Sequence, residues 1–367
     1  QVGETPQLFP VLNGLWSFYI VGAEFQTSTE LAEQLLRLAQ SVQDPVLLLE
    51  AHWALGVILL QFGEFVSARE HFEQGIALYD PQQHRSHAFL YGFDPGVGCL
   101  RYAAWELWLL GYPDQALQRS HEAVILAQEM SHPFSLAFAL HFAVVLHQLR
   151  REGQAAQARA EAVIILSTEH GFVLSLALGT IMRGWSLVEQ GQGEEGIAQM
   201  RRGVAAFQAT GAKTWWPYFL ALLAETCGKG GQAEEGLSVL AEALATVEKT
   251  GERWCEAELY RLKGQLTLQK FQVSGSKFQV LGSPESGVRS PESEAEECFK
   301  KAIEIAQRQS AKSLELRAVT SLSRLWQQQG KREEARQMLA EIYGWFTEGF
   351  DTRDLQEAKE LIESLKD

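Results

Sequence analysis

Residues 50–80 read EAHWALGVILLQFGEFVSAREHFEQGIALYD, two apolar runs of helical period parted by Gly63. What constrains the fold most is where the small side chains fall. Gly56 lies in the first run, Ala68 and Gly75 in the second, and Phe72 follows one turn after Ala68. Small residues let two helix axes approach closely, and a single aromatic ring fills the remaining space. A hairpin of two such helices cannot bury its apolar face alone, so it has to stack on further copies of itself.

The copies are present. A first unit spans 8–43, with Leu12, Leu15, Trp16 and Tyr19 on one helix and Leu31, Leu35 and Leu38 on the next, and Asp44-Pro45 ends it. After a connector, QQHRSHAFLYGFDPGVG, a third unit pairs helices near 99–110 and 113–129; further units cover 133–169, 173–210 and 217–250. The seventh begins at 255–270, is interrupted at 271–291, and resumes near Glu292; the eighth spans 314–347. The interruption repeats KFQV and SPES and is rich in Ser, Gly and Pro, a composition expected to form a flexible insertion inside the hairpin. Residues 351–367 are expected to add a C-terminal cap helix. Small positions fall at Ser28, Ala68, Ala116, Ala158, Gly196, Gly236, Ala295 and Ala335, at intervals near forty residues. That is longer than the roughly 34 of a standard tetratricopeptide repeat. The expected fold is all-α: one right-handed α-solenoid of about eight tetratricopeptide-like hairpins over 1–367, with an open concave inner face.

Composition narrows the role. The 32 basic and 46 acidic residues give a net charge of −14, which disfavours nucleic acid and anionic membranes as partners. Four scattered cysteines form no C-x-x-C pair, so reduced thiols and a cytoplasmic location are expected. No apolar run is read as long enough to span a bilayer. The chain starts at Gln1 without a signal pattern and is expected to be a piece of a longer polypeptide.

Motifs for chemistry are lacking. Cys227-Gly228-Lys229-Gly230-Gly231 has no upstream glycine for a phosphate loop, and Gly96-Val97-Gly98 follows no strand. The histidines His84, His87, His132, His141 and His147 cluster in sequence, but His141 and His147 are six apart and face different sides of a helix. Glu194-Glu195, Glu234-Glu235 and Glu333-Glu334 follow turns, where the helix dipole accounts for them. The chain is therefore expected to bind rather than transform: no catalytic, metal or cofactor-binding residue is assigned.

In such a stack the first helix of each pair lines the inner face. Counting from the small positions puts Trp53 and Val57 there, then Arg101, Trp105 and Trp108, His147 and Arg150, Trp185, Tyr218 and Glu225, Arg261 and Arg324. Trp and Arg suit a protein or peptide partner through wide apolar contact and charge-assisted hydrogen bonds. Trp105, Trp108 and Trp185 could instead form inter-repeat core, whereas Arg101 and Arg150 are harder to bury unpaired. The connector offers His87, Tyr91 and the turn residue Asp94 as further pocket candidates, or else merely lengthens a repeat. A small-molecule sensor using the groove near Arg101 and Trp105 is the alternative to a protein or peptide partner.

Several phrases go beyond a generic repeat: LFPVLNGLWSFYIVGAEFQT, YGFDPGVGCLRYAAWELWLLGYPDQAL, HPFSLAFALHFAVVLHQLRR, RGWSLVEQGQGEEGIAQMRRG, GERWCEAELYRLKGQLTLQ and YGWFTEGFDTRDLQEAKEL. Together they resemble the C-terminal repeat region of large bacterial STAND-type signalling ATPases. The resemblance implies that ATPase, adenylate or guanylate cyclase, or kinase domains lie upstream, with this region as their sensor or interaction arm.

Overall fold

A computed structural model describes residues 8–84, 87–273 and 290–366, and among these every regular element is a helix. Eight antiparallel pairs follow in order: α1 (Phe9–Val21) with α2 (Phe25–Val42), α3 (Pro45–Phe62) with α4 (Phe65–Leu78), α7 (Pro95–Leu109) with α8 (Pro113–Met130), α9 (Pro133–Leu149) with α10 (Gly153–His170), α11 (Val173–Glu189) with α12 (Gly193–Ala209), α13 (Trp216–Lys229) with α14 (Ala233–Thr250), α15 (Glu256–Val273) with α16 (Pro291–Arg308), and α17 (Lys312–Gln328) with α18 (Arg332–Tyr343). Two short helices, α5 (Pro81–His84) and α6 (His87–Tyr91), occupy the connector, and α19 (Arg353–Ser364) packs on the last pair. Each pair packs on the next, which makes the chain an α-solenoid of tetratricopeptide-like hairpins. Helix α15 runs through Val273 and α16 starts at Pro291, so most of the insertion expected at 271–291 lies outside the described residues.

Local chemistry explains the pairs. Asp44 and Asp94 cap α3 and α7 by accepting the amides of Val46 (2.9 Å) and Val97 (2.8 Å), each followed by a proline at the first helical position. The second helices open with Ser28, Ala68, Ala116, Ala156, Gly196, Gly236 and Ala335, whose amides each bond the carbonyl four residues back, at the helix start. These positions meet the first helix of the pair. The fourth is Ala156, fully buried, and not Ala158, which is exposed. At Gly196 the approach is closest: a Cβ there would lie 2.6 Å from the Gly184 carbonyl oxygen.

Helix α3, PVLLLEAHWALGVILLQF, corrects the expectation that no apolar run is long enough to span a bilayer: its 18 residues have a mean hydropathy of 1.6. Two-thirds of it is buried, because it is packed between α2, α4 and α7. A helix surrounded by neighbours is apolar all round for that reason.

The stack also closes on itself. The amides of Lys213 and Thr214, before α13, donate to the Val21 carbonyl at the end of α1 (2.9 and 3.2 Å). Arg253 N, before α15, donates to Gln61 O in α3 (2.7 Å), and Ser313 Oγ in α17 to Trp108 O in α7 (2.5 Å). Arg151, after α9, reaches Asp354 of α19 (3.1 Å). Pair one thus touches pair six, two touches seven, three touches eight, and four touches the cap. Five hairpins make one superhelical turn, and its pitch is short enough that successive turns bond directly. The open concavity expected from sequence is consequently replaced by a filled axis with cavities at intervals.

Candidate functional site: two cavities on the superhelix axis

The middle of the axis is aromatic. Trp105 is fully buried, stacks on Phe142 (centroids 4.1 Å) and on Trp254 (5.6 Å), meets Trp215 edge-on (5.8 Å), and donates Nε1–H to Phe142 O (3.1 Å). Tyr218 leans on Trp254 and donates its hydroxyl to Gln148 (2.8 Å). Trp254 and Trp215 come from the turns before α15 and α13, so this core joins two turns of the superhelix. Buried Glu252 fastens it, accepting from Trp215 N (2.9 Å) and Trp254 Nε1 (3.1 Å); burial pushes its carboxyl up to about 8, against the pull of those donors. Trp215 is held there at a φ of 65°, in the left-handed region, which a bulky residue adopts only at a cost of about 1–3 kcal/mol.

On the N-terminal side of this plug lies a cavity of about 250 Å³. Trp16, Trp53, Tyr91, Phe93, Phe138 and Trp215 are among its walls, and Arg101 is its one charged lining residue among those described. The guanidinium of Arg101 faces the rings of Phe142 (4.4 Å), Phe138 (4.9 Å), Tyr102 (5.2 Å) and Phe93 (5.7 Å). It is 6% exposed and has no carboxylate partner among the described residues; burial lowers its pKa to about 10. Its Nε, both amide atoms of Gln61, Thr214 Oγ1, and the indole nitrogens of Trp53 and Trp215 lack hydrogen-bond partners among the described residues. His141 lies just behind, against Trp215, and burial together with Arg101 lowers its pKa to about 3, so it stays neutral.

On the other side lies a charged cavity of about 220 Å³ between α13, α15, α17 and α19. Here the charges are paired. Arg261 is held by Glu258 (2.6 Å) and Gln265 (2.9 Å), Arg324 by Glu357 (2.8 Å), and Arg317 by Asp354 (2.7 Å). Glu225 accepts from Trp185 Nε1 (3.2 Å) and Lys229 (2.9 Å); burial would raise its pKa, but Lys229 outweighs that and holds it down to about 2.

The sequence-predicted residues therefore divide. Trp53, Tyr91 and Arg101 share the aromatic cavity, and Glu225, Arg261 and Arg324 share the charged one. Trp105, Trp108, Trp185 and Tyr218 are buried structural groups rather than free groove surface. Arg150 is buried but paired, to Glu152 (2.7 Å) and the Pro113 carbonyl (2.8 Å), and His147 is engaged with the same Glu152 (2.6 Å). Asp94 is a fully buried cap that also accepts from Tyr79 (3.0 Å), and its amide N–H donates to Ser135 Oγ (3.0 Å). His87 begins α6, and its side chain lies outside the described residues. Sequence reasoning missed Gln61, Thr214 and Trp215, which reach the aromatic cavity only because one superhelical turn lies on the next. Among the described residues no three His, Cys, Asp or Glu side chains converge as a metal site.

No family model matches the chain, and no curated protein does. Solved structures do. A Rap protein complexed with competence and sporulation factor aligns over 98% of both chains at TM-score 0.57 and 9% identity. NprR in complex with its cognate peptide NprX aligns over 99% of both at TM-score 0.56 and 11% identity. A STAND protein with a tetratricopeptide repeat sensor from Pyrococcus horikoshii aligns over 98% of this chain and 52% of its own, at TM-score 0.46 and 13% identity. At these identities the first two likenesses are of fold, and they define the class: a full-length helical-repeat superhelix.

Proposed function

We propose that this chain is a non-enzymatic regulatory receptor that takes a ligand on the superhelix axis. The observation that carries this reading is the aromatic cavity, whose walls come from two successive turns and in which Arg101, Gln61, Thr214, Trp53 and Trp215 carry polar atoms without partners among the described residues. A ligand seated there touches both turns, so its occupancy is coupled to their spacing through the bonds of Lys213 and Thr214 to Val21. The fold likeness to a Rap protein solved with competence and sporulation factor, and to NprR solved with its cognate peptide, supports ligand recognition by this architecture. The cavity volume favours a small molecule, or one end of a peptide, over a long groove-bound segment. In its finer form the reading makes the chain a cytoplasmic sensor arm governing ATPase, cyclase or kinase domains in a longer polypeptide; that form rests on sequence resemblance alone.

The test is a thermal-shift screen of the isolated chain against separate metabolite and short-peptide libraries, followed by calorimetry of the hits. A saturable ligand whose binding is lost on filling the cavity, with Val57→Trp for example, supports the proposal. Multiple-turnover chemistry by the chain, or hits indifferent to cavity filling, would overturn it.

A further inference from the structure

We propose that the aromatic cavity is a site for a small monocarboxylate on an apolar or aromatic body, with Arg101 meeting the carboxylate. This rests on the ligand-binding reading above and names the ligand's chemistry. A buried guanidinium without an anion is costly. The rings around Arg101 stabilise its charge from their faces, but they cannot accept the hydrogen bonds of its five in-plane N–H groups. Further side chains of the wall with atoms partnerless among the described residues add to this. Trp53 and Trp215 can only donate through their indole nitrogens, and the Gln61 amide and the Thr214 hydroxyl can donate as well. Among the partnerless side-chain atoms of the described wall, Gln61 Oε1 is the one obligate acceptor against the N–H donors of Arg101, Trp53 and Trp215, and that surplus of donors calls for an anionic acceptor. A single cation calls for a single charge, so a dianionic phosphate fits poorly. The remaining walls are aromatic or aliphatic, which selects an apolar body. At about 250 Å³ the cavity exceeds the roughly 150 Å³ that accommodates benzene and falls below the range of drug-sized ligands. A body the size of an indole or a branched aliphatic chain fits.

The same chemistry is offered by a free acid and by the C-terminus of a peptide ending in an apolar residue, so the experiment has two arms. The intact chain is titrated with indole-3-acetate and with indole-3-acetamide, then with a short peptide ending in tryptophan, as the free acid and as the C-terminal amide. Binding is read by calorimetry and melting temperature. In at least one arm the acid is expected to bind at least about tenfold more tightly than its amide, as loss of a charged hydrogen bond dictates. The arm that responds identifies the source. Arg101→Met is expected to abolish the acid preference without lowering the melting temperature of the unliganded chain. Should that variant fail to fold, Thr214→Val and Gln61→Leu are each expected to weaken the acid several-fold and leave the amide unchanged. Equal binding of acid and amide in both arms, no saturable binding in either, or an acid preference untouched by these substitutions would overturn the proposal. In those cases a neutral ligand that still competes for the axis would leave the broader receptor reading standing, whereas an axis that binds nothing would remove both.

Discussion

Gly56→Ala probes the hairpin register most directly. A Cβ at Gly56 would lie 2.6, 2.8 and 2.9 Å from three ring carbons of Phe72, where ordinary contact begins at 3.4 Å, so the ring must retreat by at least 0.8 Å (3.4 − 2.6). It has nowhere to go: Phe72 is fully buried and stacks on Tyr102 (5.6 Å, 10° between planes), which in turn abuts Phe142 (4.6 Å). Overpacking of this kind costs about 1–3 kcal/mol. Alanine returns about 1 kcal/mol of helix propensity, leaving a net loss of about 0–2 kcal/mol. Gly14→Ala is the control, because Gly14 is exposed in α1 and its added Cβ meets nothing within 4 Å. It should gain the propensity of about 1 kcal/mol without the clash. Urea denaturation followed by circular dichroism compares the two. With a slope of about 2 kcal/mol per molar, their midpoints should separate by about 1 M, Gly56→Ala being the lower. Gly56→Leu should fall further. If Gly56→Ala proves as stable as Gly14→Ala, the close approach of α3 and α4 is wrong, and with it the register of the stack.

Arg317→Met should loosen the contact between turns: Arg317 loses Asp354 and the Leu149 carbonyl while the Trp108 face stays covered by an apolar stem. Breaking so buried a pair costs on the order of 3 kcal/mol, and hydrogen exchange should rise in α19 before it rises elsewhere; uniform exchange across the chain would count against the latch. Acid should release the same cap. Burial would raise the Glu357 pKa, but Arg324 and Arg151 outweigh it and hold the carboxyl down to about 2 from an ordinary 4.5. A depressed folded pKa means that its contribution is whole above 4.5 and is lost as pH falls toward 2, so proteolysis at α19 should increase in that window and Glu357→Gln should show the increase already at pH 6. Glu252 has the opposite sign. Its folded pKa, raised to about 8, means the folded state holds a proton that the unfolded state has released, so stability falls as pH rises from 4.5 to 8. Glu252→Gln should flatten that slope in pH-dependent denaturation; an unchanged slope would show that the carboxylate is ionised in place.

Local spacing carried most of the fold. Gly56, Gly196 and Gly236 announce close helix contacts by themselves, since no other residue type suits a gap where a Cβ meets backbone or a pinned ring. The fourth small position lies two residues before the expected Ala158, because the sequence there, QAAQARAEA, offers several alanines and only the cap at Glu152 selects Ala156. The pairing of Arg150 was hidden for a comparable reason. Its partner Glu152 is two residues away, but it faces back only because Arg151 takes a φ of 62°. What no window could supply was the pitch. Pitch sums small rotations over five hairpins, and it decides whether inward-facing tryptophans line an open groove or meet one another. Here they meet, which turns Trp105 and Tyr218 into core. The same closure brings Thr214 and Trp215 over Arg101, which has no carboxylate partner among the described residues. Filling the groove and making the aromatic cavity are therefore one event. A variant that lengthens the pitch, by breaking the bonds of Lys213 and Thr214 to Val21, should lose the site even though every residue lining it is intact.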